Sequence, residues 1–142
     1  MTRLVGGLVA ALLAACSLHA QTTVYWDTNS TTAGAGGTAP AGTWASSGGA
    51  ANRRWSTSSA GTGSTALWSS GNDAVFSAGT DATGAYTVTV SGTQNVSSIR
   101  VDEGSPTLAT GTINFSDATP SLNVATGSTL TFSTALTSTT GN

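Results

Sequence analysis

The sequence predicts an all-β fold built as a β-solenoid of short stacked strands, with a β-sandwich as the alternative architecture. Three observations predict it. Apolar and polar residues alternate with period two through most of the second half, as half-buried strands require. No apolar stripe at helical spacing runs through that region. Apolar positions also recur: Ile99 to Leu122, Leu108 to Leu130 and Ile113 to Leu136 are each separated by roughly 22–23 positions, a spacing typical of stacked repeats. A sandwich also spaces its strands between turns, but strands this short suit coils better.

Taken in order, residues 1–20 read as an export signal. Arg3 supplies the positive start and Leu4 to Ala15 the apolar stretch. That stretch is about 12 residues, or about 18 Å as a helix, too short for a bilayer core of about 30 Å. Two endings are open. Cleavage after Ala20 would leave Gln21 first, although Leu18 is bulkier than the usual residue at its place. Leu13-Ala14-Ala15-Cys16 instead resembles a lipobox, in which Cys16 is lipidated and anchors the chain without spanning the membrane.

Residues 21–83 form a Gly- and Trp-rich segment. Val24-Tyr25-Trp26 starts a strand, and a long loop rich in Gly, Thr and Ala follows. Thr43-Trp44, Trp55 and Leu67-Trp68 punctuate further small-residue loops, and Ala74-Val75-Phe76 is the next strand. Residues 84–142 are the strand ladder itself. Tyr86, Val88 and Val90 share one face, and Ile99/Val101, Ile113/Phe115, Leu122/Val124 and Leu130/Phe132 each bracket one polar residue. Asp102 to Pro106 reads as a turn.

Charge narrows the function. Only 7% of residues are charged, and the four basic residues are all Arg. Three of them lie beyond the signal, with no basic stripe to neutralise phosphates, so nucleic acid is not an expected partner. Cys16 and His19 are the single residues of their kinds, and both precede Gln21. From Gln21 onward there is therefore no Ser–His or Cys–His pair, no Lys for a Schiff base, and none of the usual zinc ligands.

The order of blocks carries a resemblance. Tyr25-Trp26-Asp27, Gly42-Thr43-Trp44, Arg54-Trp55 and Leu67-Trp68-Ser69-Ser70-Gly71-Asn72-Asp73-Ala74-Val75-Phe76 precede a Thr/Ser/Gly ladder. This resembles the N-terminal portion of bacterial proteins with autotransporter-associated β-strand repeats. The resemblance implies a right-handed parallel β-helix passenger, displayed at or released from the cell surface, with no cofactor and no catalytic residues. It also implies that the chain, which stops in mid-ladder, is the start of a longer repeat array. The expected function is a structural or adhesin-like passenger, exported to the outer surface. Its expected partners are further repeats or cell-surface glycans, and its expected membrane contact is limited to export or a lipid anchor.

The four Trp admit two readings. Trp26, Trp44, Trp55 and Trp68 would stack on sugar rings if exposed, making the chain a carbohydrate-binding module. Otherwise they cap the solenoid end, where strand edges and apolar side chains need cover. No enzyme is expected. Asp102 and Glu103 are adjacent and so cannot straddle a sugar ring as a glycosidase pair does. Gly71-Asn72-Asp73 and Gly79-Thr80-Asp81 lack the further copies that a calcium-binding repeat needs. Gly34-Ala35-Gly36-Gly37 lacks the Lys and helix of a phosphate loop.

Overall fold

A computed structural model describes residues 21–139, and these are almost entirely strand and turn. The expected export signal over residues 1–20, with Cys16 and both of its expected endings, lies outside the described residues. The described residues form ten strands: β1 (Thr23–Trp26), β2 (Gly42–Trp44), β3 (Trp55–Ser56), β4 (Asp73–Phe76), β5 (Ala85–Val90), β6 (Thr93–Val96), β7 (Ser98–Val101), β8 (Ser105–Phe115), β9 (Ser121–Val124) and β10 (Thr131–Ser138). One 3-10 turn, Ala50–Asn52, is the only helical element among the described residues.

The strands build two sheets, ordered β3-β1-β4-β7-β9 and β10-β8-β5-β2, with β6 pairing the second half of β8. Pairing is parallel from β1 to β9 and from β2 to β10. Antiparallel pairing, which an ordinary sandwich uses throughout, is confined to β1–β3 and the bridge Trp55–Ala66. Successive rungs lie directly over one another in chain order. Inward residues therefore form columns, such as Val24, Ala74, Ile99 and Leu122, or Gly42, Val88, Leu108 and Phe132. The buried faces of both sheets share one apolar cluster, which crosses the expected boundary between residues 83 and 84.

The alternation in β5 is as expected: Tyr86, Val88 and Val90 are buried, and the residues between are exposed. Ile99 faces Leu122 and Ile113 faces Leu136, matching the sequence spacing, but Leu108 faces Phe132 and not Leu130. Between Ala109 and Thr112, β8 carries one residue more than β10, and Thr110 and Gly111 take positive φ there (62° and 48°). The expected turn at Asp102 to Pro106 is shorter, since Ser105 and Pro106 already belong to β8.

Polar side chains stitch the rungs where the apolar columns stop. Asn114 Nδ2 donates to Asn95 Oδ1 at 2.8 Å, and Thr137 Oγ1 donates to Asn114 Oδ1 at 2.9 Å. These three residues are in register on consecutive strands, so each amide is held from both sides. Burial then falls away along the ladder. Ile99, Val101 and Ile113 are fully buried, whereas Leu122, Val124 and Leu136 on the outermost rung are 53%, 37% and 49% exposed.

Candidate functional site

Two clusters of chemistry-bearing side chains emerge. The first is aromatic. Trp26 ends β1, Trp44 ends β2, Trp55 opens β3, and Trp68 lies in the loop before β4. Their rings meet edge to face around Phe76: Trp26–Trp55 at 5.3 Å, Trp44–Trp55 at 4.9 Å, Trp44–Trp68 at 4.8 Å and Trp55–Phe76 at 5.5 Å between centroids. Gly42 makes room for this packing, because a Cβ there would lie 3.1 Å from the Trp26 ring. Trp26 Nε1 donates to the Pro40 carbonyl and Trp68 Nε1 to the Asn95 carbonyl. The indole N–H groups of Trp44 and Trp55 are buried without an oxygen acceptor.

Sugar stacking needs an open ring face, and none of the four has one. Their exposures are 0% for Trp26 and Trp44, 2% for Trp55 and 3% for Trp68. The glycan-stacking expectation for Trp26, Trp44, Trp55 and Trp68 is corrected on that ground: the rings cover one another. Their spacing of about ten to twenty residues carries no sign of this. Only the pairing of β3 with β1 in one sheet and the placing of β2 on β5 in the other bring the rings together.

The second cluster is acidic and sits at the corners that follow β1, β4 and β7. Asp27 is fully buried. Its Oδ1 accepts the backbone N–H groups of Asn29 (2.9 Å) and Ser30 (2.8 Å), an Asx turn that starts the long loop. Its Oδ2 has no donor. Burial raises its carboxyl above the ordinary value and the charge of Asp81 adds to this, while the two N–H groups and Arg54 oppose it.

Asp81 answers the same loop from the other side. Its two carboxylate oxygens accept the N–H groups of Ala35 and Gly37, each at 2.6 Å. Burial acts to raise this carboxyl, but the N–H groups of Ala35, Gly37 and Gly36 outweigh it and hold the carboxyl below the usual range. Gly34-Ala35-Gly36-Gly37 is thus an anion-binding nest after all, filled by the chain's own carboxylate. Positive φ at Gly34, Gly36 and Gly37 (94°, 109° and 93°) aims the N–H groups inward.

Glu103 completes the corner. Burial raises its carboxyl, Asp81 and Asp102 add to the effect, and the Ser77 hydroxyl (3.3 Å) and the Ala82 N–H oppose it. Burial also pushes the neighbouring Tyr86 phenol far above its ordinary value, with the charge of Glu103 contributing. Asp102 turns away to pair with Arg100 at 2.8 Å, and both partners are more than two-fifths exposed, so the pair adds little stability. Asp73 accepts the Ser98 hydroxyl and the Gln21 amide.

Of these carboxylates, Asp27 and Asp81 hold loop backbone. Among the described residues, no three His, Cys, Asp or Glu side chains stand close enough together to hold a metal ion. No described helix is long and apolar enough to cross a membrane. Comparison of the chain with protein-family models, curated proteins and solved structures finds no match.

Proposed function

We propose that this chain is an exported structural segment, a β-solenoid that acts as a rigid, adhesin-like passenger at the bacterial cell surface. The observation that carries the reading is the ladder: parallel rungs in chain order, joined by corners whose polar groups serve to hold backbone. A solenoid of this kind resists bending because each rung is held along its length by the next. The Trp cluster acts as its N-terminal cap, with β3 covering the outer edge of β1. The resemblance of the block order to autotransporter-associated repeats is what suggests a right-handed coil and display outside the cell. Low charge and a coat of hydroxyls suit a surface spacer whose contacts are weak and numerous. The buried Trp give no support to carbohydrate binding by those rings.

The test is an epitope tag inserted after Gly127, an exposed loop residue between β9 and β10. Intact cells should bind the antibody and lose the signal on brief protease treatment. Signal appearing only after lysis would overturn display. Metabolic labelling with a fatty-acid analogue, with and without Cys16→Ser, separates the lipid anchor from cleavage after Ala20.

A further inference from the structure

The outward faces of the two sheets differ in chemistry. On the sheet of β1, β4, β7 and β9 the outward columns are Thr23–Asp73–Ser98–Ser121 and Tyr25–Val75–Arg100–Asn123, which mix an acid, a base and an aromatic ring. On the sheet of β2, β5, β8 and β10 they are Thr87–Thr107–Thr131 and Thr43–Thr89–Ala109–Ser133, with no charged and no large side chain. The bulge in β8 begins beyond Ala109, so both of these columns keep unbroken register. Thr87, Thr89, Thr131 and Ser133 are exposed, and Thr43, Thr107 and Ala109 are half-buried.

The hydroxyls of this face are also left open. Those of Thr28, Thr110 and Thr134 each donate to a backbone carbonyl, and that of Thr137 donates to Asn114. The five Thr and the Ser of the two columns have no hydroxyl partner among the described residues. Neighbouring strands lie about 4.8 Å apart and alternate residues about 6.6 Å apart, so the columns form a regular grid of hydroxyl and methyl groups. Thr is stiff at its first side-chain bond, and the buried Tyr86, Val88 and Leu108 hold the strands beneath, so the grid is set before anything binds.

We propose that the outward face of β2, β5, β8 and β10 binds ice. Ice presents an uncharged plane of hydrogen-bonding oxygens whose repeats are close to the two spacings of the grid. The Thr methyl groups order the water between the columns and the hydroxyls anchor it, so that this layer joins the crystal. A charged side chain would hold its own hydration shell out of step with the lattice, and these columns carry none. A crystalline glycan is the other flat, neutral partner, but it is gripped by exposed ring faces, and all four Trp are buried. Ice binding here is independent of display at the cell surface.

The test is partition into ice grown slowly on a cooled finger from a solution of the full chain and serum albumin. The chain should enter the ice while albumin is excluded, and it should slow the coarsening of ice grains in a frozen sucrose film. Thr89→Tyr with Thr131→Lys breaks the flat, neutral face at exposed sites and should abolish both effects, with far-ultraviolet dichroism unchanged. Ser121→Tyr with Asn123→Lys makes the same change on the other sheet and should leave both effects intact. Exclusion of the unmodified chain together with albumin, a reading that needs no variant, would overturn the proposal. Loss of ice entry in both double variants, or in neither, would do the same. Exclusion from ice with retention on crystalline cellulose or chitin would overturn it in favour of a flat glycan.

Discussion

At the scale of single residues, two carboxylates bonded to one loop respond to pH in opposite directions. Asp81 has its carboxyl lowered, so its contribution is complete above the unfolded value of about 3.9 and is lost as pH falls through the folded one. Asp27 has its carboxyl raised, so its contribution declines as pH rises from the unfolded value through the folded one. Asp81→Asn keeps one acceptor and orphans a loop N–H. It should cost about 1 kcal/mol near neutrality and flatten the acid limb of a plot of melting temperature against pH. Asp27→Asn keeps the Asx-turn acceptor and removes a buried charge. It should therefore melt within a few degrees of the unmodified chain near neutrality, whereas Asp27→Ala, which strands two N–H groups, should lose about 1–3 kcal/mol in urea titrations. Equal losses for Asn and Ala at position 27 would mean that the turn is not what the side chain holds.

Single elements stand or fall by what lies above and below them. Strands β1, β2 and β3 are each four residues or fewer, and their packing rests on the rings they carry. Trp44 touches Trp55, Trp68 and Phe76, so Trp44→Ala should cost about 3–5 kcal/mol and abolish much of the near-ultraviolet dichroism. In the unmodified chain the Trp emission should be blue-shifted and unmoved by added polysaccharide. The Asn95–Asn114–Thr137 run is the polar counterpart. Asn114→Ala leaves Asn95 Oδ1 and Thr137 Oγ1 without that partner and should cost about 1–3 kcal/mol, read from the urea midpoint, while Asn123→Ala on the exposed rung should change little. The corner before β8 has its own constraint. Gly104 sits at φ 74°, and a Cβ there would lie 2.1 Å from the Ala82 carbonyl oxygen, so the rungs can approach this closely only with glycine.

For the whole molecule, nearest-neighbour stacking means that stability follows position along the ladder. Each rung gains from two neighbours, and the outermost from one. Under dilute conditions, amide exchange should be fastest in β9 and β10, slower in β7, and slowest in β4, β5 and the buried half of β8, matching the fall in burial from Ile99 to Leu122. Uniform protection across all rungs would instead point to a single cooperative block. Far-ultraviolet dichroism should show strand and turn with almost no helix.

The sequence by itself determined the all-β class, the inward faces of β5 and β7, and two of the three stacked pairs. All of these are local: a strand's period is two, and a rung's length sets the interval to the next. Only the tertiary structure decided the rest. Leu108 took Phe132 as its partner and not Leu130, and a one-residue bulge at Thr110 and Gly111 separates that pair from Ile113 and Leu136. The fold brought Trp26, Trp44 and Trp55 onto Phe76 and Trp68 against Trp44 and Trp55, removing the ring faces from solvent. Asp81 reached a nest 46 residues away, at Ala35, that composition alone could not pair with it. Periodicity reports which face a residue takes; which partner fills that face depends on how the rungs stack.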